Sequence, residues 1–123
     1  VRRDPAVLND LAYLLMVRGD APEEARALIE EALVLQPDNP VLLSTRGELN
    51  LREGRLDQAE ADLQRVMAAM PDHPQALLLT AQLYAARHQT DAAREMAQAL
   101  ADRQGELPTE QQAALKKLIE QLP

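Results

Sequence analysis

The 123-residue sequence contains no cysteine, no phenylalanine and no tryptophan, and only two tyrosines. Without cysteine there is no disulfide, no thiolate metal ligand and no thiol nucleophile. Without large rings the core has to be built from Leu, Ala, Ile, Val and Met, within a hydrophobic content of 46%. Glycine is scarce as well. The four glycines, Gly19, Gly47, Gly54 and Gly105, stand alone, so no glycine-rich loop exists to cradle a phosphate. Cations are outnumbered, 13 Lys and Arg against 20 Asp and Glu, and the net charge of −7 argues against an electrostatic hold on nucleic acid or on anionic lipid. No apolar run approaches the roughly 18 residues of a membrane-spanning helix, so no membrane insertion is expected. No signal-peptide pattern is present either. The chain begins at Val1 rather than Met, which suggests an excised fragment and leaves the compartment, cytoplasmic or periplasmic, open.

What is abundant is alanine and leucine, both strong helix formers, while strand-favouring β-branched and aromatic residues are few. The expected class is all-α. A repeat orders it further. Pro37-Asp38-Asn39-Pro40 recurs 34 residues later as Pro71-Asp72-His73-Pro74, and Ala25, Ala59 and Ala93 fall on the same period. Pro5 precedes Pro40 by 35 residues and Gly19 precedes Gly54 by 35, an offset explained by one extra residue in the Gly19-Asp20-Ala21-Pro22 turn.

Each copy reads as a helical hairpin, with first helices near 6–18, 40–53 and 74–87 and second helices near 22–35, 57–69 and 91–103. Gly19 and Gly54 suit the left-handed residue that ends a helix, and Pro22 suits the first turn of the next. Asp57 and Asp91 are positioned to cap second helices. Thr109-Glu110-Gln111-Gln112 reads as a capping box, followed by an apolar stripe of Leu115, Leu118, Ile119 and Leu122. A seventh helix with one apolar side suits the open end of a helical stack. The expected organisation is a single domain over residues 1–123, with repeats at about 5–39, 40–73 and 74–107 and a capping helix at about 109–121.

Chemistry finds little footing. His73 and His88 lack a second histidine or paired carboxylate at ligand spacing, so no metal and no cofactor is expected. Ser44 is the only serine, with no histidine where a base belongs. Glu23, Glu24, Glu30, Glu31, Asp57, Glu60 and Asp62 are read as a solvated outer face rather than as acid–base pairs held across a cleft.

The spacing resembles the tetratricopeptide repeat. The first copy matches its pattern with Leu8, Leu11, Ala12, Leu15, Ala25, Ile29 and Pro37. The second offers Leu43, Gly47, Ala59, Leu63 and Pro71 but departs at Arg46 and Asn50. The third offers Leu77, Ala81, Tyr84 and Ala93 and departs at Thr80, Ala97 and Gly105. Only Tyr84 keeps an aromatic, so aliphatic packing is expected in place of rings.

The resemblance implies a right-handed α-solenoid, a non-enzymatic scaffold, and a concave face lined by the first helices. Carried over, the partner-binding residues are Asn9, Tyr13, Met16, Val17, Glu48, Leu51, Arg52, Leu78 and Gln82, with Met16 and Leu78 as an apolar floor. The partner implied is an unidentified protein or peptide. It is not a chaperone C-terminal carboxylate, because the positions that supply cations to such a clamp hold Asn9, Tyr13, Thr45, Gln75 and Leu79. Resemblance together with the Ala/Leu/Arg/Gln-rich composition points to a bacterial parent. The alternative to groove binding is self-assembly through the solenoid ends, with two copies pairing at the first hairpin.

Overall fold

The computed structural model of the chain describes residues 3–123. Residues 1 and 2, assigned to the domain from sequence, lie outside them. The described residues form seven α-helices and one 3-10 turn, with no strand among them. The helices are α1 (Pro5–Arg18), α2 (Pro22–Leu35), α3 (Pro40–Arg52), α4 (Leu56–Ala69), α5 (Pro74–Ala86), α6 (Thr90–Ala101) and α7 (Thr109–Gln121), and the 3-10 turn spans Gln104–Glu106. Among these residues no helix is long and apolar enough to cross a membrane.

Every first helix opens on proline, whose missing N–H costs nothing there. The residue before it supplies the cap in two copies. Asp4 Oδ1 accepts the Ala6 N–H at 2.8 Å, and Asn39 Oδ1 accepts the Val41 N–H at 2.9 Å. His73, at the third such position, makes no side-chain cap bond. The hairpin turns are left-handed at Gly19 (φ 75°) and Gly54 (φ 76°), and the third repeats the geometry at His88 (φ 62°). The sequence signal failed there because a histidine stands where the other copies have glycine.

Other local expectations need correction. Helices α4 and α6 begin one residue ahead of Asp57 and Asp91, which therefore sit inside the first turn. There their charge favours the positive end of the helix dipole. The capping box at Thr109 does not form. Pro108 precedes the helix without a side-chain cap, and Gln112 Nε2 donates to the Leu107 carbonyl at 2.8 Å.

The chain divides into two compact units, Val1–Val66 and Met67–Pro123. In the first, α1 and α2 close on each other over small side chains, with Ala12, Ala25 and Ala32 between Leu8, Leu15 and Ile29. Helix α3 packs on both. Against α4 it approaches so closely at Gly47 that an added Cβ would lie 3.2 Å from Leu63 Cδ2. Leu11, matched to the repeat's buried pattern, is instead 42% exposed.

In the second unit, α5, α6 and α7 share a core of Leu78, Ala81, Ala97, Leu100, Leu107, Leu115 and Leu118. Helix α7 turns Leu115 and Leu118 inward as its stripe requires, whereas Ile119 stays 39% exposed. Replacing His88 by Gly is expected to stabilise the chain by about 1 kcal/mol, since an L side chain is penalised in the left-handed region. Urea unfolding of the variant beside the parent checks this.

Candidate functional site

The first helices carry the residues singled out for recognition, and the units bring only some of them together. In the first unit, α1 supplies Asn9, Tyr13 and Val17 and the adjoining α3 supplies Glu48, Leu51 and Arg52. Tyr13 and Glu48 occupy the same position of successive repeats, as do Val17 and Arg52. Asn9, Tyr13, Glu48 and Leu51 are half-buried, while Val17 and Arg52 are exposed. Arg52 is held one turn from Glu48, its Nη2 lying 2.9 Å from Oε2. Asn9 Oδ1 is buried without a hydrogen-bond partner, an acceptor left open on this helix.

Met16 and Leu78 are corrections. Both are 3% exposed, so the apolar floor assigned to them is core. Met16 is enclosed within the first unit, and Leu78 packs with Leu107, Leu115 and Leu118 in the second. A first helix buried on two sides leaves a narrower free strip than sequence spacing assumed. Gln82, also in the second unit, is half-buried on α5.

The most polar arrangement in the chain was missed. Asp62, read as part of a solvated face, is 4% exposed, and Asn50 is 2% exposed. Arg46 grips Asp62 with two parallel bonds, Nε to Oδ2 at 3.0 Å and Nη2 to Oδ1 at 2.8 Å. Asn50 Nδ2 donates to the same Oδ2 at 3.1 Å. From α2, Glu30 accepts from Arg46 Nη1 at 3.1 Å, and Arg26 Nη2 donates to Asn50 Oδ1 and to Glu53 Oε2, both at 2.7 Å. The hydrogen bonds that Arg46 donates to Asp62 hold its proton more tightly than in a free guanidinium, outweighing the opposing effect of burial.

The signal for this cluster was in the sequence, at the two positions where the second copy departs from the repeat pattern. Where the first copy carries Leu11 and Leu15 the second carries Arg46 and Asn50, and an aspartate one helix away bonds to both. Ionic and polar bonding thus takes the place that aliphatic packing was expected to fill.

A second clamp ties down a turn in the other unit. Arg103 reaches Asp72 Oδ1 at 2.9 Å and Glu106 Oε2 at 2.6 Å. Its hydrogen bonds hold the Glu106 carboxyl below the ordinary carboxylate range. Among the described residues no group of three His, Cys, Asp or Glu side chains is arranged to hold a metal ion.

A model of the tetratricopeptide repeat matches residues 50–119. The chain belongs to the tetratricopeptide repeat family. It is also 40% identical over 76 residues to a TPR repeat-containing protein of Pseudomonas aeruginosa, over 59% of this chain and 13% of that protein. The chain thus spans a small part of its relative's length. Among solved structures, it is similar to the Sgt2 TPR domain of Aspergillus fumigatus, with a TM-score of 0.73 at 21% identity. The likeness covers 94% of this chain and 74% of that one, and it identifies the fold as an α-solenoid of TPR hairpins. TPR repeats are in general protein–protein interaction modules, and the fold is typically that of a non-enzymatic scaffold.

Where this TPR chain departs from its family, the cost of breaking the substitute is large. Arg46→Leu alone leaves Asp62 buried with only an amide for company. It is expected to destabilise by about 3 kcal/mol or more, read as a fall in the urea midpoint.

Proposed function

We propose that the chain is one scaffold domain that binds a protein or peptide through its first helices, centred on Tyr13 and Leu51. Family membership supports the class of function, and the α1–α3 strip supports the place. This strip combines a half-buried ring, a half-buried leucine, an orphaned amide oxygen and the Glu48–Arg52 pair. Such a mixture can anchor a side chain while fixing a peptide's polar groups. Val17 and Arg52 form its exposed rim, and Asn9 its buried polar end. Peptides selected on the full chain by phage display provide the ligands for a test. Tyr13→Ala with Leu51→Ser should weaken them roughly tenfold or more at unchanged helix content, measured by fluorescence anisotropy. Binders indifferent to both changes would overturn the assignment.

One observation favours a second reading, in which two copies pair through the first hairpin. Val7, Leu11 and Leu14 form a stripe on α1 and are 63%, 42% and 54% exposed. The repeat equivalents of Val7 and Leu14, Leu42 and Leu49, are 1% and 3% exposed, and that of Leu11 is the half-buried Arg46. The same helix face is therefore covered in the second repeat and open in the first. Sedimentation velocity should show mass rising with concentration, and Leu14→Glu should abolish the rise. A parent chain that stays monomeric to its solubility limit would sink this reading.

A further inference from the structure

One set of repeat positions carries three different chemistries. In the first hairpin it holds Leu11, Leu15 and Leu28, in the second Arg46, Asn50 and Asp62, and in the third Thr80, Tyr84 and Met96. In the first hairpin Leu15 and Leu28 are buried at these places while Leu11 lies 42% exposed, so two of the three positions pack there as leucine without an ion pair. Buried ion pairs also seldom stabilise more than the apolar side chains that could replace them. The polar set in the second hairpin therefore calls for another explanation.

Its arrangement supplies one. Asp62 is wholly engaged by its own hairpin, receiving Arg46 on both oxygens and Asn50 on one. What remains free on α3 is a donor, Arg46 Nη1, and one turn later an acceptor, Asn50 Oδ1. Helix α2 presents the complement, the donor Arg26 and one turn later the acceptor Glu30. Because the two helices run in opposite directions, Arg26 meets Asn50 and Glu30 meets Arg46. Apolar burial is non-directional, so by itself it discriminates only weakly against a slip of one turn, about 5.4 Å. The directional polar bonds discriminate strongly. A slip in one sense brings Arg26 against Arg46 and Glu30 against Leu42. A slip in the other leaves Arg46 facing no carboxylate on α2.

We infer that Arg26, Glu30, Arg46, Asn50 and Asp62 form a register key, which fixes the first hairpin on the second at one of several positions the apolar surfaces would accept. Asp62 acts as a positioning residue. From α4 it accepts hydrogen bonds from Arg46 and Asn50 and so aims both at α2.

A key of this kind separates uniqueness from stability, and the test reads both. The variant Arg46→Leu, Asn50→Leu, Asp62→Leu gives the second hairpin the first hairpin's own side chains. The full chain carrying it should keep its helix content and a urea midpoint no lower than the parent's. Its α2 and α3 amide signals should split or broaden in NMR spectra, and amides of α1 and α2 should exchange roughly tenfold faster relative to α4. A single sharp set of signals with unchanged exchange would overturn the inference. Should that variant fail to fold, Arg26→Ala with Glu30→Ala removes only the α2 half of the key from side chains that reach solvent. It should raise exchange in the first hairpin by a similar factor while the Arg46–Asp62 fork holds. Parent-like exchange in this double variant would equally overturn it.

Discussion

The chain depends first on how closely its helices approach. With no Phe, no Trp and only two tyrosines, the hairpins have few rings to seat in a groove and close mainly over small side chains. Ala25, Ala59 and Ala93 recur at one repeat position, and each is fully buried. Gly47 against Leu63 takes the same logic to its limit, since even a methyl group would be crowded. Packing of this kind is unforgiving because interiors have little free volume to give. It also makes the aliphatic side chains around the alanines carry the burial that rings would have carried. Among the described residues Ile29, Leu42, Leu43, Leu63, Leu100 and Leu115 are the largest side chains almost wholly removed from water.

Close approach explains why so much of the fold was legible. A small residue every 34 positions is a geometric demand written into the sequence, as are the prolines that open each first helix. What stayed hidden depended on partners that spacing cannot supply. Asp62 looked like one carboxylate among many until the fold set Arg46 and Asn50 beside it. Met16 and Leu78 had the right spacing for a free face, but a helix in this fold has neighbours on more than one side, and those neighbours took them. His88 kept the turn's backbone geometry without the residue type that advertises it.

The candidate recognition strip was legible to the same extent. Spacing put Tyr13 with Glu48, and Val17 with Arg52, at equivalent places on successive first helices. Only the coordinates showed that Arg52 bonds to Glu48 and that Asn9 has an oxygen to spare. Variation along the repeat is therefore of two kinds. Where side chains face a neighbouring helix, the alternatives are leucine, an ionic cluster or a tyrosine with methionine. Where they face outward, no neighbouring helix constrains the choice of residue.

The hairpin order has a kinetic consequence. Even the clamp from Arg103 to Asp72 spans only 31 residues of chain, and the fork from Arg46 to Asp62 spans 16. Closing such short loops costs little entropy, and each hairpin can gain contacts before a distant segment arrives. Assembly can therefore begin wherever a turn first closes and spread to either side, with no obligatory starting end. Damage should stay local for the same reason: a nick in one turn releases the helices beside it and leaves the rest of the chain its own nucleus.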